Sequence, residues 1–386
     1  MKKFRFMPKL AAAIVSATMI FSGAVPAFAA GSATSVTGTS NTFNKYLIIP
    51  ANAHVPTKTF TFSIKPADND IPGTSSTQEV KKGIGSPTVG SASFTKDSTE
   101  TFSSLQEGDA ITLPSGYKYA KTSVTVDFSN VTFKATGIYR YIISETTNDP
   151  NYKITTVSKA YDVYVTRDNN NNLVVQAYVL HDGTTSTVSK SQAQAKDSGF
   201  VNTYVNSHDL AFEKTTTGNQ RNPDDTFKFT LNITNAIPNS RFAAKADASN
   251  ENTKNITYID TDENGEATQI VYLKTGERFA VYALNNNASY TVTEDADTNS
   301  KLGYDLAKIN WAVGDYDTTL KDGSTIELSN NAVHDDALTK NAQFNFINTK
   351  DGTVPTGVIF AVAPFAIGAV AIAAFVILKV RKAVKQ

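Results

Sequence analysis

Lysine, glutamate and asparagine recur in the same order in two halves of this sequence, each on the apolar side of an alternating stretch: Lys45, Glu145 and Asn202, then Lys214, Glu294 and Asn348. Lys45 shares parity with Phe43 and Leu47, Glu145 with Tyr141 and Ile143, and Asn202 with Phe200 and Tyr204. In the second set Lys214 follows Leu210 and Phe212, Glu294 follows Tyr290 and Val292, and Asn348 follows Phe344 and Phe346. Side chains of a strand alternate between its two faces, so all six should point into a core. Burying a lysine and a glutamate costs several kcal/mol unless something compensates. Two compensations are open. One is a buried ion pair, with the asparagine bonded to backbone; the other is covalent chemistry, which compensates permanently. One trio would leave these evenly balanced, and the repetition of the ordered trio favours the second.

The elements that must position these residues are strands. Short stretches rich in valine, threonine, tyrosine and phenylalanine alternate with polar residues between Asn, Asp, Gly and Pro clusters, which is an antiparallel β pattern. Examples are Thr59 to Ile64, Ser123 to Phe128, Tyr161 to Val165, Leu173 to Leu180, Phe227 to Leu231 and Phe344 to Ile347. No long stretch between the terminal segments has a helical period, so the pattern predicts an all-β sandwich class with few, short helices. A weak internal repeat divides the chain: Phe60-Thr61-Phe62 answers Phe227-Lys228-Phe229, Tyr141 to Glu145 answers Tyr290 to Glu294, and Phe200 to Thr203 answers Phe346 to Thr349. The boundary falls near 205–209, where Asn206, Ser207, His208 and Asp209 make a short polar joint that permits little independent swing. The expected units are 30–206 and 207–350.

The two ends are read as targeting segments. Lys2, Lys3, Arg5 and Lys9 precede an apolar run from Leu10 to Ile20, and Ala27-Phe28-Ala29 supplies a small-x-small cleavage pattern, so residues 1–29 read as a secretory signal peptide. Val358 to Leu378 carries no charge; as a helix it would extend about 31 Å, the thickness of a bilayer core. Lys379, Arg381, Lys382 and Lys385 follow, and the positive-inside rule then places the preceding chain outside the cell. The order of Thr353-Val354-Pro355-Thr356-Gly357, apolar helix and basic tail, in residues 351–386, resembles a Gram-positive sortase sorting signal. Valine stands where the usual Leu-Pro-x-Thr-Gly form has proline, which implies a dedicated pilus sortase rather than the general cell-wall enzyme. The resemblance implies attack on the Thr356 carbonyl, release of Gly357 onward and acyl transfer to an amine.

The 386 residues hold 36 basic and 36 acidic side chains, 40% apolar residues, no cysteine and one tryptophan. That length suffices for two domains with real cores, and a disulfide-stapled mini-protein is excluded. Residues 1–29 and 357–386 each carry four basic residues and no acid, which leaves 28 basic against 36 acidic between them, a net of −8. So acidic a middle has no basic stripe for phosphates, and nucleic-acid binding is a poor default.

With the trios and the sorting signal together, the sequence resembles a streptococcal-type major pilin with two Lys-Asn isopeptide domains, over nearly the whole mature chain. The resemblance implies two tandem immunoglobulin-like sandwiches of the Cna protein B type. It also implies bonds from Lys45 to Asn202 and from Lys214 to Asn348, assisted by Glu145 and Glu294. Desolvation would lower the lysine pKa and raise that of the glutamate, so that the amine attacks the asparagine carbonyl, the acid relays the proton and ammonia leaves. Such bonds would close loops of 157 residues, from 45 to 202, and 134 residues, from 214 to 348. By analogy with disulfide loops each contributes up to about 5 kcal/mol, independently of redox state. For the amine that accepts the neighbouring subunit, the resemblance points to Lys196, with Lys190 second; the Tyr-Pro-Lys acceptor motif of other pilins is absent. Lys58, with the parity of Phe60 and Phe62, rivals Lys45 within the first unit, but its counterpart in the second is Asp225.

The implied role is a secreted, wall-anchored pilus shaft subunit, polymerised through Thr356 by way of a membrane-inserted precursor. Its partners would be a sortase, further copies of itself, ancillary pilins, peptidoglycan and host surface molecules, with no cofactor. The alternative is a wall-anchored adhesin or an ancillary pilin of the tip or base that uses the same domains as a stalk. A surface enzyme would need convergent catalytic groups, and none stands outside the trios. Asp260, Asp262, Asn264 and Gly265 imitate a calcium loop, but Val271 occupies the position of its bidentate glutamate, and Asn264-Gly265 reads as a hairpin turn. His54, His181, His208 and His334 show no metal spacing, and Asp168 to Asn172 reads as a hairpin loop.

Overall fold

The stretches rich in β-branched and aromatic residues form strands because such side chains pack well on a pleated, half-buried surface. A computed structural model describes residues 35–352 except 98–99, 192–195, 306–307, 314–325, 328–331 and 336. The expected signal peptide, the Val354-Pro355-Thr356-Gly357 motif, the apolar segment 358–378 and the basic tail lie outside the described residues. Among the described residues no helix is long and apolar enough to cross a membrane.

Two sandwiches follow one another. In the first, one sheet runs in the order Tyr152–Ile154, Gly199–Tyr204, Ser40–Pro50, Tyr117–Asp127 and Thr88–Val89. The facing sheet runs Leu173–His181, Ser158–Arg167, Gly137–Glu145 and Phe62–Pro66. Phe43, Leu47, Val124, Tyr141, Ile143, Tyr161 and Phe200 fill the space between them. The second sandwich sets a sheet centred on Arg278–Asn285, Ser207–Thr217 and Ala342–Thr349 against Ala267–Leu273, Phe227–Thr234, Ser289–Glu294 and Ala332–Asp335. Its core is built from Leu210, Phe212, Phe229, Val281, Val292, Phe344 and Phe346.

Both sandwiches share one unusual pairing. Most neighbouring strands are antiparallel, but Gly199–Tyr204 runs parallel to Ser40–Pro50, and Ala342–Thr349 runs parallel to Ser207–Thr217. An early strand and the last strand of each unit therefore lie side by side. In the first unit this contact needs a glycine: a Cβ on Gly199 would lie 1.7 Å from the Asn44 carbonyl oxygen.

Three local expectations are corrected. The stretch Thr59 to Ile64 is not one strand but two, Lys58–Phe60 and Phe62–Pro66, which join different sheets. Thr61 breaks it because its N–H donates to Thr147 Oγ1 (2.8 Å) and its carbonyl accepts from the Thr146 N–H (2.8 Å). The joint is shorter than the polar composition suggests. Ser207, His208 and Asp209 already belong to a strand, leaving Val205 and Asn206, the latter at φ +54°. Finally, Asn264-Gly265 is a tight turn but not a hairpin, since Tyr258–Asp260 and Ala267–Leu273 pair in different sheets. The Asp262 carboxylate holds it by accepting the N–H groups of Asn264 (2.9 Å) and Glu266 (2.8 Å). Asp168 to Asn172 does close a hairpin, between Ser158–Arg167 and Leu173–His181.

Side-chain contacts supplement the two-residue joint. Tyr204 donates to the Ala283 carbonyl (3.2 Å), Thr57 Oγ1 to that of Asn239 (2.8 Å), and the Asn286 N–H to that of Asn206 (2.7 Å). Lys96 pairs with Asp260 (2.8 Å) and Asp97 with Arg241 (3.2 Å) across the same junction.

Gly199→Ala must push the parallel pair apart, and chemical denaturation should show a loss of about 2–3 kcal/mol, the cost of overpacking. Gly90→Ala, whose Cβ meets nothing nearer than 3.6 Å, should be near neutral.

Candidate functional site

Lys45 lies on Ser40–Pro50 and Asn202 on the parallel neighbour, where Asn202 is opposite Leu47. In the second unit Asn348 is opposite Thr216. The asparagine thus faces the residue two places beyond the lysine in both units, which makes lysine and asparagine diagonal neighbours on the inner face. The glutamate comes from the facing sheet, at the end of Gly137–Glu145 or Ser289–Glu294, and is paired with Phe62 or Phe229. All six side chains are buried.

In the first sandwich Lys45 Nζ donates to Glu145 Oε2 (2.7 Å) and Asn202 Nδ2 to Glu145 Oε1 (2.6 Å). Asn202 Oδ1 is buried without a hydrogen-bond partner. The Lys45 ammonium stands 4.5 Å from the centre of the Phe60 ring. Burial pulls the Lys45 pKa down from 10.5 to about 8; the Glu145 charge and hydrogen bond oppose this, and the Lys159 charge adds to it.

The second sandwich holds the same groups in a different pose. Lys214 Nζ donates to Asn348 Oδ1, to the Phe346 carbonyl (3.0 Å) and to the Thr215 carbonyl (3.1 Å), while Asn348 Nδ2 donates to the Asp305 carbonyl (3.1 Å). Glu294 Oε1 lies 3.3 Å from Lys214 Nζ, an ion pair by distance without hydrogen-bond alignment. The Lys214 ammonium sits 4.4 Å from the Phe227 ring centre. Its pKa too is drawn down to about 8 by burial, against the opposing charge of Glu294. Burial pushes the Glu294 carboxyl up. Each trio therefore brings an amine of lowered basicity, a carboxyl group and a side-chain amide together in a setting of aromatic rings. That combination can exchange a proton within the pair and bring the amine against the amide carbon.

The other residues singled out in the sequence lie apart from the trios. Lys58 pairs with Asp149 (2.5 Å) at the edge of an open cleft of about 590 Å³ between the sandwiches, which none of the six lines. Asp225 accepts from the Tyr304 hydroxyl (3.1 Å). Lys190 and Lys196 are exposed; Lys190 Nζ donates to the Thr74 carbonyl (2.5 Å), whereas Lys196 immediately precedes the anchored residues Asp197, Ser198 and Gly199. Asp197 pairs with buried Lys159, Ser198 Oγ accepts the Ala110 N–H (2.9 Å), and the Ser198 carbonyl accepts that of Asn44 (3.0 Å). Among the described residues no cluster of three or more metal-ligating side chains is found.

Of the buried polar groups that sequence reasoning missed, two stand out. Arg140 makes a two-pronged pair with Asp162 (2.7 Å each), which also lies 3.0 Å from His181 Nε2. Its parity with Ile138 and Ile142 places it on the opposite face from Glu145, and alternation alone does not show that this face is covered. The second is Asn299, beside Glu294 on a short helix, where strand alternation gives no signal.

Residues 42–205 match the Spy0128-like isopeptide containing domain, and residues 208–350 match a domain of unknown function, DUF7601. A pilin of Streptococcus pyogenes serotype M1 is 27% identical over 350 residues, covering 88% of this chain and 89% of its own. The isopeptide-domain match and this relative together support a Gram-positive pilin. The crystal structure of the major pilin from Streptococcus pyogenes shares the fold, with a TM-score of 0.50 and 22% identity over 82% of this pilin and 100% of that chain. Pilins are structural proteins of the bacterial surface, so the trios belong to a pilus subunit.

A pilin variant that keeps Lys214 and Glu294 but lacks the amide, Asn348→Ala, should reveal the lowered amine pKa. The unfolded lysine titrates near 10.5 and the folded one near 8, so between these values the unfolded chain binds more protons and stability rises with pH. Thermal melts should show the second sandwich gaining several degrees from pH 8 to pH 10, with the full penalty present below pH 8. An acylated Lys214 would have no such proton and would show no such rise.

Proposed function

We propose that this pilin is a pilus shaft subunit that crosslinks itself twice and is then polymerised and wall-anchored by a sortase. The observation that carries the reading is the meeting of lysine, glutamate and asparagine, all buried, at the same offset across the early and last strands of both sandwiches.

Closure begins with a proton moving from the lysine ammonium to the glutamate, which leaves a neutral amine and a neutral acid. The low local polarity favours that neutral pair. The amine lone pair attacks Cγ of Asn202 or Asn348, and the acid proton stabilises the oxygen of the tetrahedral intermediate. The C–N bond to Nδ2 breaks, the glutamate passes the surplus amine proton to the leaving nitrogen, and ammonia departs. One C–N bond forms, one breaks, and the glutamate is regenerated as the acid. In the first sandwich Asn202 presents Nδ2 to Glu145, so its amide must turn about Cβ–Cγ to offer Oδ1 to the acid proton. In the second, Asn348 already directs Oδ1 toward Lys214.

Each unit, 30–206 and 207–350, is a self-locking module in this reading. Residues 1–29 direct export, 358–378 hold the precursor in the membrane, and a sortase cleaves after Thr356. Lys196 is the favoured acceptor, since its backbone stands on three immobilised residues while the Lys190 ammonium is already engaged by Thr74. Peptidoglycan receives the final subunit.

Immunoblots of wall extracts from a Gram-positive host producing the pilin and its sortase test this. Thr356→Ala and Lys196→Arg should each collapse the multimer ladder to monomer, with Lys190→Arg unchanged. A ladder that survives replacement of both lysines would instead mark an ancillary pilin or adhesin.

A further inference from the structure

Two side-chain amides, not one, stand beside Glu294. Asn348 belongs to the trio. Asn299 comes from the helix Ala296–Leu302, which is capped by Asp295 directly after Glu294 and closed by Gly303 at φ +77°. Its backbone serves the helix, since its N–H donates to the Asp295 carbonyl (3.2 Å) and its carbonyl accepts from Tyr304 (3.0 Å). Any residue but proline could make those bonds.

The side chain needs a separate explanation. Asn299 is 1% exposed, and neither its Oδ1 nor its Nδ2 has a hydrogen-bond partner of normal geometry. Both oxygens of Glu294 are in the same condition. Leaving such groups unsatisfied in a core is costly, so a polar residue kept here is expected to have a use. The Asn299 amide lies near enough to steady the ionised carboxylate, opposing the upward pull of burial together with Lys214 and Asn348. The first sandwich has no such need. Both Glu145 oxygens are engaged, by Lys45 and Asn202, and Glu145 is followed by an irregular segment rather than a helix.

We propose that Asn299 is the positioning residue for Glu294 in closure of the Lys214–Asn348 bond. Its amide hydrogen-bonds one carboxyl oxygen and leaves the other to the reacting groups. An amide can do so in both protonation states, donating from Nδ2 to an oxygen of the carboxylate or to the carbonyl oxygen of the acid, whose own proton then faces the reacting groups. Asn299 is unchanged by the reaction. The proposal rests on the reading of the second trio as reactive.

The test is timed ammonia loss in the full chain made by cell-free synthesis, quenched at intervals and mapped by peptide mass at both trios across a pH series. Asn299→Leu should slow Lys214–Asn348 closure about tenfold or more, within the range that acid–base assistance supplies. Lys45–Asn202 closure should keep its wild-type rate as an internal control. The slowed reaction should have its rate–pH profile displaced to higher pH, because Glu294 has lost a group that holds its pKa down. Asn299→Gln should restore most of the rate. Closure of Asn299→Leu at the wild-type rate with an unmoved profile overturns the proposal, and so does equal slowing of both bonds or failure of Gln to rescue. A wild-type chain that loses ammonia at Asn202 but never at Asn348 overturns the underlying reading of this trio itself.

Discussion

The parallel contact between an early strand and the last strand is the constraint on which each sandwich depends. It sets lysine and asparagine diagonally on one inner face and leaves the facing sheet to supply the glutamate. Without it the lysine would be a buried charge among phenylalanine rings, and removing its partner from such a pair is strongly destabilising. Much of the rest follows from keeping that contact close. Gly199 permits the approach to Asn44, and Asp197 and Ser198 anchor the chain just before it.

The two trios are not copies in detail. Glu145 bridges amine and amide with one oxygen each, whereas Glu294 stands off from Lys214, and the lysine is engaged by Asn348 and two backbone carbonyls. Local chain geometry accounts for part of this difference. An irregular turn follows Glu145, while a capped helix follows Glu294 and brings another amide to it. The same chemistry is thus offered from two ground states, one closer to an ion pair and one with the amine already against the amide oxygen. A crosslink at either site would join strands that are also the entry and exit of the unit, so tension along the chain would bypass most of the sandwich.

Much of the fold was legible from alternation. Period two identifies the inner face of each strand, and Lys45, Glu145, Asn202, Lys214, Glu294 and Asn348 are all buried. Their partners within each sandwich were less legible, because parity reports a face and not the residue across from it. The break at Thr61 depends on hydrogen bonds to Thr146 and Thr147, more than eighty positions away. Asn264-Gly265 has the composition of a hairpin turn, yet its flanking strands are claimed by different sheets, a choice made by packing rather than by the turn. Asn299 was invisible because it lies on a helix, and Arg140 and Asp162 because they occupy the second face of a sheet that only the folded chain shows to be covered.

Closing each buried trio into one covalent link removes one ammonia, a loss that intact mass reads. For recombinant residues 30–350 the expected mass is two ammonia units below that of the sequence, with a deficit of one in Glu145→Ala and of one in Glu294→Ala. A wild-type mass equal to that of the sequence would rule the links out, leaving two buried ion pairs in a pilin held together by packing alone.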